Sequence, residues 1–95
     1  MIVKQTTFRV KRGDMDELVE LHKRAPKLEE HPVARFYTPK YAPGDVAVLE
    51  FEFESLADIE AYEQEWHALP ETPAFLAEFM DCVEHIVSEE VWELH

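Results

Sequence analysis

The periodicity of the apolar residues changes at Ser55, and this change constrains the fold more than any other feature of the chain. Residues 46–54 (VAVLEFEFE) alternate with a period of two, which is typical of a half-buried strand. After Ser55 the apolar residues recur at helical spacing, at Ile59, Tyr62, Trp66 and Leu69. Ser55 and Asp58 form a variant of the capping box, in which Asp replaces Glu or Gln. The segment therefore predicts a strand followed directly by a capped amphipathic helix.

The remaining segments show comparable signals. Ile2–Val10 is rich in β-branched and aromatic residues, which favours a strand. Asp14 is a typical helix N-cap, and the helix that it begins should end near Arg24, before Pro26. Further along, we predict a strand over 33–38, a loop over 38–44, a strand over 45–54, a short helix with Thr72 as N-cap and Pro73 in its first turn, and a strand over 82–94 with an interruption near Ser88-Glu89.

The order of these elements is strand, helix, strand, strand, broken helix and strand. This order is the pattern of the ferredoxin-like βαββαβ fold, of the α+β class. Right-handed crossovers then give a four-stranded antiparallel sheet with its helices on one face, which leaves the other face open. A chain of 95 residues is the size of one domain, so we expect a single domain over 1–95.

The open sheet face should be mixed in character. If the strands over 33–38 and 45–54 pair across their loop, Arg35 and Tyr37 share this face with Glu50, and Arg35 lies opposite Glu50. The aromatic content of 12% is more than one covered sheet face requires. Two copies that close face to face would bury the open face and form a homodimeric α/β barrel, with the Arg35–Glu50 pair inside it.

The charge balance excludes some classes of partner. The chain has 9 Lys and Arg residues against 21 Asp and Glu residues, a formal net charge of −12. Basic residues cluster only around Lys4 and residues 9–12, so we expect neither a nucleic acid nor an anionic membrane surface as a partner. The single cysteine, Cys82, excludes an intramolecular disulfide, and no segment has the pattern of a signal peptide or membrane span. These features predict a cytoplasmic protein.

Glu50 and His67 are the candidate catalytic residues. A carboxylate enclosed in a barrel can act as a general base because burial disfavours its charged form. The alternative for Glu50 is a structural pair with Arg35 in the dimer core, and the alternative for His67 is a contact with the C-terminal dipole of its helix. The candidate ligand-binding residues are Arg35, Tyr37, Tyr41, Glu50 and Trp66, although the two tyrosines could instead pack their loop.

Metal chemistry is not expected. The five histidines, His22, His31, His67, His85 and His95, show no close metal-ligand spacing. The glutamates at 50, 52 and 54 alternate along one strand and lie about 7 Å apart, which is too far for a single ion. We therefore predict neither a metal site nor a cofactor.

Several segments resemble a known group of proteins. They are RFYTPKY at 35–41, LEFEFESL at 49–56, the pairs Glu65-Trp66 and Pro70-Glu71, and EVWEL at 90–94. Together they resemble the NIPSNAP-like members of the dimeric α/β-barrel superfamily. The resemblance implies a ferredoxin-like protomer that dimerises through its open sheet face, with residues 91–94 reaching towards the partner. The superfamily includes cofactor-free monooxygenases of the antibiotic-biosynthesis type, haem-degrading enzymes, EthD-like proteins and muconolactone isomerase-like enzymes, so it implies no single activity.

Three hypotheses for the function follow. The first is a homodimer that binds a small hydrophobic molecule in a pocket between the sheet and the helices. The second is a cofactor-independent monooxygenase or isomerase that acts on a small aromatic or hydrophobic substrate. The third is a structural or interaction protein without a ligand. A cavity of a few hundred cubic ångströms beside Tyr37, Glu50, Trp66 or His67 would favour the first two.

Overall fold

The structure is a computed structural model, and it describes residues 1–42 and 44–95. Pro43, which falls in the predicted loop over 38–44, lies outside the described residues. The described residues form four strands and three helices: β1 (Ile2–Val10), α1 (Met15–Lys23), β2 (Ala34–Tyr37), β3 (Val46–Phe53), α2 (Leu56–His67), α3 (Thr72–Asp81) and β4 (Val83–Glu93). All the predicted elements are present, with small differences in their bounds.

The strands form one antiparallel sheet in the order β2-β3-β1-β4. Central β1 and β3 therefore carry the longest pairings, and each is followed by helices that cross one face of the sheet. This arrangement confirms the predicted α+β, ferredoxin-like fold. The opposite face of the sheet is not covered by any of the described elements.

The core lies between the sheet and the helices α1 and α3. Residues of both layers are buried in one cluster: Phe8, Val10, Leu18, Leu21, Ala47, Phe79, Cys82 and Val83. The rings of Phe8 and Phe79 meet edge to face, with their centroids 5.3 Å apart. Helix α1 has Leu18 and Leu21 on its buried face, and His22 stacks on Phe36 of β2 at a centroid distance of 4.4 Å. The core thus holds α1 and α3 firmly on the sheet.

Helix α2 packs more loosely than its sequence predicts. The stripe Ile59, Tyr62, Trp66 and Leu69 is half-buried, and none of the described residues of α2 is fully buried. Polar contacts occupy part of this interface, since Lys4 of β1 forms an ion pair with Glu63, and the Trp66 indole N–H donates to the Pro26 carbonyl at 2.8 Å. The physical reason is that a helix that covers a lysine buries less apolar surface than one that covers a hydrophobic strand.

The helix ends confirm Ser55 and Asp14 at the predicted N-cap positions and correct the third cap, Thr72. The Ser55 Oγ accepts a hydrogen bond from the Asp58 backbone N–H at 3.3 Å, as the capping box predicts. Asp14 stands at the N-cap of α1, but its side chain makes no capping hydrogen bond to the described residues because its backbone is not in the extended conformation. Thr72 is already helical, with Glu71 as N-cap, and its hydroxyl donates to the Trp66 carbonyl at 2.7 Å. Among the described residues, no helix is long and apolar enough to cross a membrane.

Strand β4 contains the irregularity that the sequence predicts, but at another place. Thr7 of β1 pairs with Ser88 and Phe8 pairs with Ile86, so Val87 is an extra residue on β4. This bulge lies just before the predicted interruption at Ser88-Glu89. A second irregularity lies between Arg9 and Val10, where Glu84 is the extra residue. The alternation of β4 is therefore reversed between Val87 and Glu84 and restored at Val83.

Candidate functional site

Cross-strand pairing arranges the open sheet face in rows. In the central row, Arg35 of β2 lies opposite Glu50 of β3, and Gln5 of β1 lies between Glu50 and Glu90 of β4. The predicted register of Arg35 and Glu50 is therefore confirmed. Residues directly opposite in an antiparallel sheet are close enough for their side chains to interact. The next row contains Glu52, Val3 and Trp92, also directly opposite one another across β3, β1 and β4.

Glu50 is the centre of a hydrogen-bond network on this face. Its Oε1 accepts from the Arg35 Nη1 at 3.3 Å and from the Tyr37 hydroxyl at 3.3 Å, and its Oε2 accepts from the Gln5 Nε2 at 3.0 Å. The Glu50 side chain is only 14% exposed, although no element of the described chain covers the face. Its neighbours therefore fix the carboxylate in place and partly shield it from water.

Arg35 connects two carboxylates. Its Nη1 also donates to the Glu52 Oε1 at 3.0 Å, which is shorter than its contact with Glu50. This hydrogen bond to Glu52, together with the negative charges of Glu52 and Glu50, raises the pKa of the Arg35 guanidinium above its usual range. Arg35 is 42% exposed, so solvent screens its ion pairs in the single chain.

An open concavity of about 380 Å³ lies beside this network. Its lining combines the polar network with apolar side chains from β1 and the end of the chain: Val3, Gln5, Arg35, Tyr37, Glu50, Glu52, Trp92, Glu93 and Leu94. This concavity lies on the open face, whereas the sequence predicts a pocket between the sheet and the helices. A second concavity, of about 310 Å³, does lie on the helix side, where Phe53 of β3 and Tyr62 of α2 are part of its lining. The core cluster fills the space under α1 and α3, whereas the side chains of the open face have no layer packed on them.

The structure brings together three of the five predicted ligand-binding residues. Arg35, Tyr37 and Glu50 are hydrogen-bonded to one another, while Tyr41 projects into solvent and is 93% exposed. Trp66 contacts Phe75 in the helix layer, with ring centroids 6.1 Å apart. Tyr41 and Trp66 therefore do not line the concavity, and the role of the other three in binding stays a prediction.

The two candidate catalytic residues lie on opposite sides of the sheet. Tyr62 of α2 packs on Phe51, whose side chain points away from that of its neighbour Glu50. His67 is exposed at the end of the same helix, with its ring 5.2 Å from that of Trp66. A single site that uses both Glu50 and His67 is therefore not possible within one chain.

Sequence reasoning missed Gln5 and Trp92. Gln5 could have been found by extending the pairing argument from β3 to β1, since Gln5 lies opposite Glu50. Trp92 could not be placed by alternation alone because β4 changes parity twice, at Val87 and at Glu84. Over the described residues, no group of three or more His, Cys, Asp or Glu side chains is arranged to hold a metal ion.

Known proteins with this fold are found among solved structures. No protein-family model matches the chain, and no curated protein matches it either. An uncharacterised NIPSNAP domain protein of Burkholderia xenovorans has a TM-score of 0.86 and 16% identity, covering 100% of this chain and 95% of that one. A NIPSNAP family protein of Agrobacterium tumefaciens has a TM-score of 0.82 and 17% identity, covering 97% and 90%.

A third solved structure comes from Chloroflexus aurantiacus and is provisionally assigned as an antibiotic biosynthesis monooxygenase. Its TM-score is 0.67 at 12% identity, covering 96% of this chain and 89% of that one. The structural neighbours are thus the NIPSNAP and monooxygenase-like proteins that the sequence resemblance predicts. At these identities the likeness establishes a shared fold, and function has to be argued from the site.

Proposed function

We propose that this chain forms a homodimer through its open sheet face and binds a small, largely apolar molecule in the chamber between the two sheets. Large apolar side chains on or beside that face support the dimer. Val33, Tyr37, Trp92 and Leu94 are each about half exposed in the single chain. Contiguous exposed apolar residues on a small protein are typical of an interface or a ligand site.

The Glu50 network is the observation that carries this proposal. Burying a charged group in an interface is costly unless the group is paired and hydrogen-bonded. On this face Glu50 already accepts three hydrogen bonds from its own chain, and Arg35 is paired with both Glu50 and Glu52. A second copy could therefore cover the network with the Glu50 carboxylate and the Arg35 charge already paired within one chain. The sequence resemblance to dimeric α/β barrels favours the same mode of association.

The chamber itself follows from the concavity. A volume of about 380 Å³ on each chain is within the range of small-molecule sites, and a second sheet would close its open side. Apolar walls next to a few fixed polar groups are typical of sites that bind small molecules and orient them. The buried, free Cys82 is compatible with the reducing cytoplasm that we propose as the location.

Binding of the neutral dye Nile red tests this function. We expect saturable binding to the wild-type protein, followed by dye fluorescence. Trp92→Glu places a charge beside the concavity and should weaken binding by about tenfold or more, because the chamber no longer closes. Leu56→Glu is the matched control, since Leu56 is also exposed but begins α2 in the helix layer. Non-saturable binding, or equal loss in the two variants, would contradict the proposal.

A cofactor-independent monooxygenase or isomerase is the second candidate. The contact between the Glu50 carboxylate and the Tyr37 hydroxyl favours it, because a fixed carboxylate beside an apolar wall can remove a proton from a bound substrate. One structural neighbour also carries a monooxygenase assignment. If a small aromatic substrate is turned over, Glu50→Gln should lower kcat by about a hundredfold or more. Unchanged turnover in this variant would exclude Glu50 as the base.

A further inference from the structure

The polar atoms of the concavity are mainly hydrogen-bond acceptors. Tyr37 donates its proton to Glu50, which leaves its hydroxyl oxygen available as an acceptor. Glu52 and Glu50 contribute carboxylate oxygens, and Gln5 donates through its amide nitrogen, which leaves its amide oxygen as an acceptor. The main donor, Arg35, directs its Nη1 to the two carboxylates, and only its Nε and Nη2 hydrogens add donors beside these acceptors. A ligand that donates hydrogen bonds therefore fits this lining better than one that accepts them.

The net charge of the residues that line the concavity also favours a ligand that donates hydrogen bonds. The residues that line the concavity include three glutamates, Glu50, Glu52 and Glu93, and one arginine, Arg35. The whole chain has a formal net charge of −12, so its field attracts small cations and repels small anions. An anionic ligand would meet three carboxylates for one guanidinium, whereas a cation would meet carboxylates that Arg35 only partly neutralises.

The walls of the concavity are suited to an apolar body and a positive charge. Val3, Trp92 and Leu94 line one side, and Tyr37 lies at the other end of the network. Trp and Tyr rings attract cations through their π faces, and Trp does so most strongly. Trp92 is 54% exposed, so its ring is accessible to a ligand in the concavity. Aromatic rings beside carboxylates are a recurring arrangement for binding ammonium groups.

We infer that the chamber takes a small organic amine, with an apolar or aromatic body against Val3, Trp92 and Leu94 and a protonated nitrogen at Glu50 and Glu52. This inference rests on the proposed dimeric binding function and specifies its ligand class. The cationic nitrogen would use acceptors that the network leaves available, and the Arg35–Glu50–Gln5 contacts would hold those acceptors in place.

Calorimetric titration with three related probes tests the ligand class. Phenethylamine, phenethyl alcohol and phenylacetate share an aromatic ring and differ mainly in the charge of the polar group. We expect the amine to bind at least about tenfold more tightly than the alcohol, because hydrogen bonds to charged groups are the stronger ones. We expect phenylacetate to bind more weakly than both. The preference for the amine should decrease at high salt, which screens charge.

Two isosteric variants test whether the preference for the amine arises from the carboxylates of the concavity. Glu52→Gln keeps an acceptor for Arg35 but removes a charge from the concavity, so it should reduce the preference for the amine severalfold. Glu89→Gln removes the same charge from β4, outside the concavity lining, and should keep the preference. A dimer that binds Nile red but prefers the alcohol or the acid, or binds none of the probes, overturns the ligand class alone. A monomer that binds no dye overturns the proposed function as well.

Discussion

At the scale of single residues, the structure concentrates its polar interactions on Glu50. Three neighbours from two other strands donate to one carboxylate: Gln5 from β1, and Arg35 and Tyr37 from β2. Each hydrogen bond of this kind contributes about 0.5–1.5 kcal/mol, and partial solvent exposure reduces that contribution. The Glu50 carboxylate should therefore contribute to the stability of the fold as well as to the binding of any ligand.

Removal of the Glu50 carboxylate should destabilise the protein. We expect Glu50→Ala to lower the free energy of unfolding by about 1–2 kcal/mol, because three donors lose their acceptor and regain only part of it from water. Urea denaturation at matched protein concentration measures the change. Glu54→Ala is the control, since Glu54 is exposed just after β3 and should change stability by less than about 0.5 kcal/mol. Equal effects of the two substitutions would contradict the importance of the network.

The pH dependence of stability should involve His22. Burial against Phe36, and secondarily the charge of Lys27, lower the pKa of His22 below its ordinary value of 6.5. As pH falls below 6.5, the unfolded chain takes up this proton before the folded chain does, so stability decreases until pH passes the folded pKa. His22→Phe keeps a ring for stacking and removes the proton site. Urea denaturation should show less loss of stability between about pH 7.5 and about pH 5.5 in this variant.

A suitable control for His22 is His95, which is exposed at the end of the chain. His95→Gln should leave the wild-type pH dependence unchanged over the same range. The difference between the two variants isolates the buried ring from the carboxylates, which titrate in both. If His22→Phe and His95→Gln give the same profile, His22 does not contribute to the pH dependence.

The sequence was sufficient to predict three residues of the Glu50 network, because their strands are neighbours in the chain and in the sheet. Arg35, Tyr37 and Glu50 belong to two strands joined by one loop, so register and alternation place them on the same face. Gln5 lies far away in sequence, and its position depends on which central strand pairs with β3. Trp66 and Tyr41 lie away from this network, and the sequence did not show this because an amphipathic tryptophan and a loop tyrosine have no periodicity that indicates which surface they reach.

At the scale of elements, α2 differs from the other helices. Helix α1 buries Leu18 and Leu21, and α3 buries Thr72 and Phe79, whereas the apolar stripe of α2 is half-buried. The sequence predicts the helix correctly, since its cap and periodicity are local signals. It does not predict the depth of burial, which depends on Lys4 of β1 lying beneath α2. Helix α2 should therefore open more readily than α1 or α3.

Substitutions at the N-caps of α2 and α1 test whether α2 opens more readily than α1. Ser55→Ala removes a hydrogen bond to the Asp58 N–H and should cost about 1 kcal/mol of stability. Asp14→Ala should cost less, because the Asp14 side chain makes no capping hydrogen bond within the described residues and acts only through the helix dipole. Chemical denaturation measures both. Hydrogen exchange should also become faster in α2 for Ser55→Ala, and a larger effect of Asp14→Ala would contradict the assignment.

At the scale of the whole molecule, one sheet face is covered by helices and the other is not. The covered face contains the core, while the open face contains the Glu50 network, the concavity and several exposed aromatic or apolar residues. Element order was sufficient to predict this asymmetry, because the ferredoxin-like pattern places its helices on one side. Element order does not predict what covers the open face, because in the proposed homodimer the covering layer belongs to the second chain.

The mass of the protein in solution tests the homodimer most directly. Light scattering coupled to size exclusion, at low micromolar concentration and moderate salt, measures this mass without reference to a ligand. The account predicts twice the 11.2 kDa of one chain for the wild type, and a shift towards 11.2 kDa for Trp92→Glu. A wild-type protein that elutes with the mass of one chain under these conditions would contradict it.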